Sequence, residues 1–264
     1  MRTKSKKNFI GQVRRSLTSL RSSAIKRNRN NGERLGSEYG GWFLPVDHEL
    51  GVNSICYLVG AGEDVSFDLA IASKFKSQIR IVDPTPKAVA HLTGLRKAIT
   101  TKTEYPINNS KTDFYVLADL DEEKIKFNAV GLSGKREVAR FYTPKQESHA
   151  SYSMLNIQQS EKFIEVQCVT LKELMVENGD SNIDLLKLDI EGAEYGVLNN
   201  LMETGIFPRI LLVEFDELHT PLDAGAQNRV QTIVSRVINS GYELKGVDSC
   251  NYTFFRSNRG SVSD

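Results

Sequence analysis

Four short apolar runs, each stopped by a polar tip, constrain this chain more than anything else in it. They are ICYLV (55–59) before GAGED, QIRIV (78–82) before DPTP, IDLLKLDI (183–190) before EGAE, and RILLV (209–213) before EFDE. Runs this short that do not alternate with polar residues are buried on both faces, as strands of parallel sheets covered by helices are. After the first three the spacing turns helical: FDLAIASKF (67–75), a helix from Pro86 with Val89, Leu92 and Leu95 on one side, and one carrying Ala193, Val197, Leu198 and Leu201. Pro86 suits a first helical turn, where its missing N–H is not needed. The alternation predicts an α/β fold with a doubly wound, mostly parallel sheet of about seven strands. The chain of 264 residues is long enough for one such domain and too short for two.

The remaining elements follow less regularly. FYVLADL (114–120) and IKFNAVGL (125–132) read as strands, and the turn Gly131–Gly134 leads into a hairpin ending at ARFYT (139–143). IEVQCV (164–169) is strand-like, and LKELMVEN (171–178) is a short helix with Thr170 as N-cap. Residues 144–163 are polar and carry no periodicity. A helix over Gln227–Asn239 and the strands YELKGV and NYTFFR close the chain, the last two as an antiparallel pair at the end of the sheet. GSEYGGWFLP (36–45), punctuated by Gly and Pro, reads as an irregular lead-in.

A net charge of +1 conceals an asymmetry. Residues 1–35 hold 11 Lys and Arg against one acid, Glu33, leaving 23 basic and 32 acidic residues in 36–264, a net charge of −9. The chain divides into a basic N-terminal arm (1–35) and an acidic domain (36–264). Phe9, Val13, Leu17 and Leu20 recur at helical spacing among the arginines. Three readings of the arm stand open: a solvated tail, a helix on an anionic membrane surface or a protein partner, and an organellar transit peptide. It has no apolar core of secretory type, no window approaches a membrane span, and the three cysteines are scattered and odd in number. The expected location is therefore cytoplasmic, with peripheral membrane contact and organellar import left open.

In open α/β sheets ligands bind beyond the carboxyl ends of the strands, which places GAGED, DPTP, the Asp189–Glu194 cluster and EFDE along one rim. Gly60 and Gly62 let the backbone turn tightly around a ligand, and Ala61 lies between them. A dinucleotide fingerprint needs a third Gly where Val65 stands, and Glu63 and Asp64 put negative charge where a pyrophosphate would lie. S-adenosylmethionine (SAM), with a sulfonium, an ammonium and no phosphate, fits better. Asp83, at the end of the second strand, is placed to accept hydrogen bonds from ribose hydroxyls, or to begin the DPTP turn.

The motifs YLVGAGEDVSFDLA, IVDPTPKAV, NAVGLSGK, VTLKELM, IDLLKLDIEGAEYGVL and FPRILLVEFDE occur in an order that resembles the FkbM-type SAM-dependent methyltransferases, from about Trp42 to Arg256. The resemblance implies the seven-stranded class I methyltransferase fold, SAM as cofactor, a sugar, glycan or small-metabolite hydroxyl as acceptor, and cofactor contacts at Gly60, Ala61, Gly62, Glu63, Asp83, Ala129 and Val130. Leu58 departs from the acid usual two residues before the glycine loop of this fold, and Glu63 is the replacement carboxylate for the methionine ammonium.

Methyl transfer to oxygen is an in-line displacement that benefits from loss of the acceptor's proton. Asp189 is the candidate for aligning donor or acceptor, and Glu191 the candidate base. Glu214 and Asp216, on one face of the next strand, are placed to hold a polyhydroxylated acceptor. His149 is a second candidate base, and His219 a weaker one. Glu194 reads as a favourable charge at a helix N-terminus, and Lys187 as a partner for one of these acids. Trp42 and Tyr39 read as core residues rather than sugar platforms, and no spacing compels a metal ion. Two alternatives stand beside the enzyme: a non-catalytic module using the basic arm, and a nucleic-acid methyltransferase. The second is disfavoured by the acidic domain and by the lack of the tetrapeptide of amino-methylating enzymes.

Overall fold

The computed structural model describes residues 32–143, 152–156 and 160–257. Residues 1–31 of the basic arm and His149 lie outside them. In chain order the described elements begin β1 (Gly32–Leu35), β2 (Trp42–Pro45), β3 (Ile55–Val59), α1 (Ser66–Phe75), β4 (Gln78–Val82), α2 (Pro86–Thr101), β5 (Ile125–Asn128) and β6 (Gly131–Leu132). They continue β7 (Glu137–Tyr142), β8 (Phe163–Val169), α3 (Leu171–Asn178), β9 (Leu185–Leu188), α4 (Glu194–Thr204), β10 (Ile210–Glu214), α5 (Ala226–Asn239), β11 (Glu243–Asp248) and β12 (Asn251–Phe255).

Seven strands form the main sheet in the order β11-β12-β10-β9-β3-β4-β5. The sheet is mixed: β12 runs antiparallel to both neighbours and the other adjacent pairs are parallel. From β3 the chain winds outward through β4 to β5, then returns to β9 on the other side of β3, so the order reverses between β3 and β9. Both faces are covered, because the strands carry apolar side chains both ways. Tyr57, Val59, Leu186, Leu188, Leu211 and Val213 pack against α3, α4 and α5. Cys56, Leu58, Ile79, Ile81, Leu185 and Leu212 pack against α1 and α2. Each fully buried aliphatic side chain contributes about 1.5–3 kcal/mol. The capping box of α3 has Thr170 accepting from the Glu173 amide and Glu173 accepting from the Thr170 amide.

Three expectations are corrected. FYVLADL forms no strand beyond a single bridge from Phe114 to Pro106, because it passes outside the sheet edge, with Val116 75% exposed. IKFNAVGL splits between β5 in the main sheet and β6 in a separate sheet of order β6-β8-β7, so β7 pairs with β8 and not with β6. The lead-in is not irregular: β1 and β2 form a hairpin in which Leu35 pairs with Trp42. The closing antiparallel pair stands at the end of the sheet as expected, with β12 against β10 and β11 at the edge.

One buried ion pair ties the sheet to α3. The Arg80 guanidinium on β4 donates to both Asp180 oxygens at 2.9 Å, and the Tyr57 hydroxyl of β3 donates to the same carboxylate at 2.6 Å. Arg80 and Asp180 side chains are 4% and 5% exposed. Removing one partner of a buried pair strands the other's charge. Asp180→Ala is therefore expected to lower unfolding free energy by about 3–5 kcal/mol, and Tyr57→Phe by about 1 kcal/mol. Urea denaturation followed by circular dichroism checks both values.

Candidate active site

The rim is built around a close approach of two strand ends. Gly60, just past β3, has φ +87°, and a Cβ there would lie 1.6 Å from the Asp189 carbonyl oxygen. The Asp189 amide donates to Val59 O at 3.1 Å, and the Gly60 amide to Val82 O at 3.0 Å, so three strand ends are laced together. Lys187, on β9, closes the clasp from below: its Nζ donates to Gly60 O at 2.9 Å and lies 3.2 Å from Asp189 Oδ2. The expected pairing of Lys187 with an acid is thus with Asp189. The Trp42 ring covers this ammonium at 5.5 Å from its centroid.

Three of the acids hold backbone. Asp83 Oδ2 accepts from the Ala61 and Gly62 amides at 2.9 and 3.0 Å, and Oδ1 from the Thr85 amide and hydroxyl at 2.8 and 2.7 Å. Both oxygens are engaged twice, which favours the turn-forming role over direct ribose contact. Asp64 accepts from the Ser37 hydroxyl at 2.6 Å and the Ser66 amide at 2.9 Å, fastening the β1–β2 hairpin to α1. Glu194, 1% exposed, accepts from the Ile190 and Gly192 amides at 3.0 and 2.9 Å. It shapes the 190–192 loop, in which Glu191 takes a left-handed φ of +51°. Burial pushes the Glu194 carboxyl up to about 8.

These loops surround a cavity of about 520 Å³, within the range of small-molecule sites. Asp189, Glu191, Glu214 and Asp216 line one part of it, and Gly60, Ala61, Gly62, Glu63 and Asp83 another. A Cβ on Gly62 would meet nothing within 4 Å, so the glycine loop leaves open space there. The structure therefore brings these predicted residues together; His219 is exposed and outside the lining, and three others are not in it. Ala129 is exposed and Val130 packs on the core, while their neighbours Gly131 and Leu132 line the cavity; the third, His149, lies outside the described residues. Glu63 turns toward the 107–109 turn, its carboxylate accepting from Asn109 Nδ2 at 2.8 Å. Leu58 is buried in the α1–α2 core.

The sequence reading missed part of the wall. Trp42, buried as expected, also lines the cavity, and Tyr39 stands 81% exposed at its rim rather than in the core. Phe141, Tyr152, Asn108 and Asn251 complete it. Among the described residues Lys187 is the one basic side chain in the lining. The carboxyls answer to that imbalance. Burial, then the adjacent Asp189, pushes Glu214 up to about 7. Burial, then Glu191 and Glu214, pushes Asp216 up to about 10, and among the described residues its buried Oδ2 has no hydrogen-bond partner.

A family model describing the methyltransferase FkbM domain matches residues 59–244. The chain belongs to this family. The FkbM match begins at the last residue of β3 and ends within β11, so it takes in all four strand tips. The β1–β2 hairpin and β12, which add Tyr39, Trp42 and Asn251 to the cavity, lie outside it. The mixed seven-stranded sheet with five α-helices among the described residues is compatible with a methyltransferase fold. The chain matches no curated protein and no solved structure.

Asp68 of α1 is 2% exposed, its Oδ1 has no hydrogen-bond partner among the described residues, and burial pushes its carboxyl up to about 7 despite Lys187 nearby. A signal existed in FDLAIASKF, since Asp68 sits on the apolar side with Ile71 and Ala72. Between the ordinary carboxylate value and 7 the folded state holds one more proton than the unfolded chain. Stability from this group is therefore full at low pH and is lost as pH rises toward 7. Asp68→Asn is expected to remove about 2 kcal/mol of the stability difference between pH 5 and pH 7, read by urea denaturation at both values. Gly60→Ala is expected to abolish the fold of the rim, because the Asp189 carbonyl cannot retreat without breaking its strand. Proteolysis within the 59–64 and 189–193 loops checks this.

Proposed function

We propose that the cavity binds SAM and transfers its methyl group to a hydroxyl oxygen of a sugar, glycan or small-metabolite acceptor. Family membership gives methyl transfer as the reaction class. The observation that carries the finer reading is the carboxylate group at the ends of β9 and β10, set around one buried lysine. A cavity of that charge favours a cationic donor without phosphates over a dinucleotide. When bound, SAM supplies an electrophilic methyl on a sulfonium.

The chain's own residues then divide the work. The glycine loop, held open by Asp83 through the Ala61 and Gly62 amides, presents backbone without side chains to the ligand. Asp189, fixed by Lys187 at 3.2 Å, orients. Glu214 stands beside Asp189 in a buried wall, and it replaces Glu191 as the preferred acceptor of the hydroxyl proton. Trp42 and Phe141 exclude water, and Tyr39 overhangs the opening for a ring to pack on.

Calorimetric titration of SAM into the full chain is expected to give saturable binding, weakened at least tenfold in Asp189→Asn. With labelled SAM and a panel of neutral sugar acceptors, Glu214→Gln is expected to lower the methylation rate by about 10²–10⁴-fold while leaving SAM affinity within about threefold. Absence of SAM binding to a folded sample would overturn the assignment. Full activity in Glu214→Gln would return the proton to Glu191.

A further inference from the structure

Beside the cavity, three side chains from the end of β10, the turn directly after it and the β11–β12 turn converge on one point. Glu214 ends β10, His219 follows the turn Asp216–Leu218, and Cys250 sits in the turn between β11 and β12. One ligand atom from each, a carboxylate oxygen, an imidazole nitrogen and the sulfur, lie within 4.8 Å of one another. The Cys250 Sγ is 2.9 Å from Glu214 Oε1, and His219 Nε2 is 3.3 Å from the Ser249 hydroxyl. We propose that Glu214, His219 and Cys250 form a binding site for a borderline divalent transition metal of the Zn²⁺ class.

The donor set decides the class of ion. Sulfur and imidazole nitrogen select zinc-like ions over Mg²⁺ and Ca²⁺, which take oxygen. Two protein-derived neutral or thiol donors and one carboxylate, with a position left over, is the composition of open zinc sites rather than closed structural ones. Backbone bonds hold the three segments in place before any ion arrives. The Phe215 amide donates to Cys250 O at 3.0 Å, locking β10 to the β12 turn, and the His219 amide donates to Asp216 O at 2.8 Å. A second observation favours a cation. Among the described residues Asp216 Oδ2 is buried without a hydrogen-bond partner, and Asp189, Glu191 and Asp216 line the same wall as Glu214. Positive charge at the trio offsets that cost.

Binding is proton-coupled. The metal takes the place of the thiol proton, so the Cys250 S–H bond breaks, a sulfur–metal bond forms and the proton passes to solvent. Glu214 belongs both to the trio and to the cavity wall, so an ion held there competes with proton transfer at that carboxylate. That consequence rests on the methyl-transfer reading; the site itself does not.

Cobalt(II) titration of the chelator-washed full chain under reducing, oxygen-free conditions tests the site directly. The expected result is about one equivalent of Co²⁺ bound, with a near-ultraviolet thiolate-to-cobalt charge-transfer band and visible bands of a low-coordinate ion, all displaced by Zn²⁺. Proton release on Zn²⁺ binding, read by calorimetry in buffers of different ionisation enthalpy, accompanies it. Cys250→Ser is expected to abolish the near-ultraviolet band. His219→Ala, at an exposed position that leaves the core intact, is expected to weaken the metal at least tenfold. No charge-transfer band in the wild type, or a band that persists in Cys250→Ser, overturns the proposal. If Cys250→Ser fails to fold, unchanged affinity in His219→Ala overturns it alone.

Discussion

The contact between the backbones of Gly60 and Asp189 governs the rest of the rim. Two parallel strands can bring their ends this close only if one of them carries no side chain at the point of meeting, and φ +87° adds the same requirement. Lys187 then binds the two ends chemically, through the Gly60 carbonyl and the Asp189 carboxylate. A buried ammonium without partners would be costly; here the two partners are the strand ends themselves. The geometry of the reactive edge is thus set by groups lying beneath it, inside the sheet.

That arrangement explains how so many acids coexist in one region. Asp83, Asp64 and Glu194 are absorbed by amides and hydroxyls of the loops they shape. Asp189 shares the lysine. What is left uncompensated falls on β10, where Glu214 and Asp216 are driven toward their neutral forms by burial and by their neighbours. The rim therefore differs along its length, from an edge at β3 and β9 where Asp189 pairs with Lys187 to one at β10 where burial pushes the carboxyls up. A cationic ligand interacts with the first by attraction and with the second by displacing protons.

The central strands were legible because burial on both faces leaves short, mainly apolar runs, broken only by Arg80 in β4 and Lys187 in β9, beyond Gln78 at the start of β4 and Glu214 at the end of β10. Thr170 was legible as a cap because its partner Glu173 lies three residues on, within the same motif. What escaped the sequence depended on contacts across long separations. FYVLADL has strand composition, but no neighbour is available beyond β5 at the sheet edge. The Gly-rich lead-in looked irregular because the pairing of Leu35 with Trp42, and the anchoring of Ser37 by Asp64, are invisible to local pattern. The acidic cluster is visible in the sequence as a group, and the structure places its members along one cavity. Whether Asp83 faces a ligand or a pair of amides is decided by the path of residues 60–62, which no spacing encodes.

The position of β12 has a consequence for how the sheet is completed. Its neighbours β10 and β11 both precede it in the chain, and it must enter between them in the opposite direction. Until residues 251–255 are available, β10 presents an open row of amides and carbonyls, and the Phe215 amide lacks Cys250 O. During synthesis, which proceeds from the N-terminus, the emerging domain therefore carries an unpaired inner strand beside its own cavity from the completion of β10 at Glu214 until β12 follows at Asn251–Phe255. Such an edge is a template for the strands of other chains. Insertion of β12 covers this edge and installs Asn251 in the cavity wall at the same time, so completion of the sheet and completion of the wall are one event.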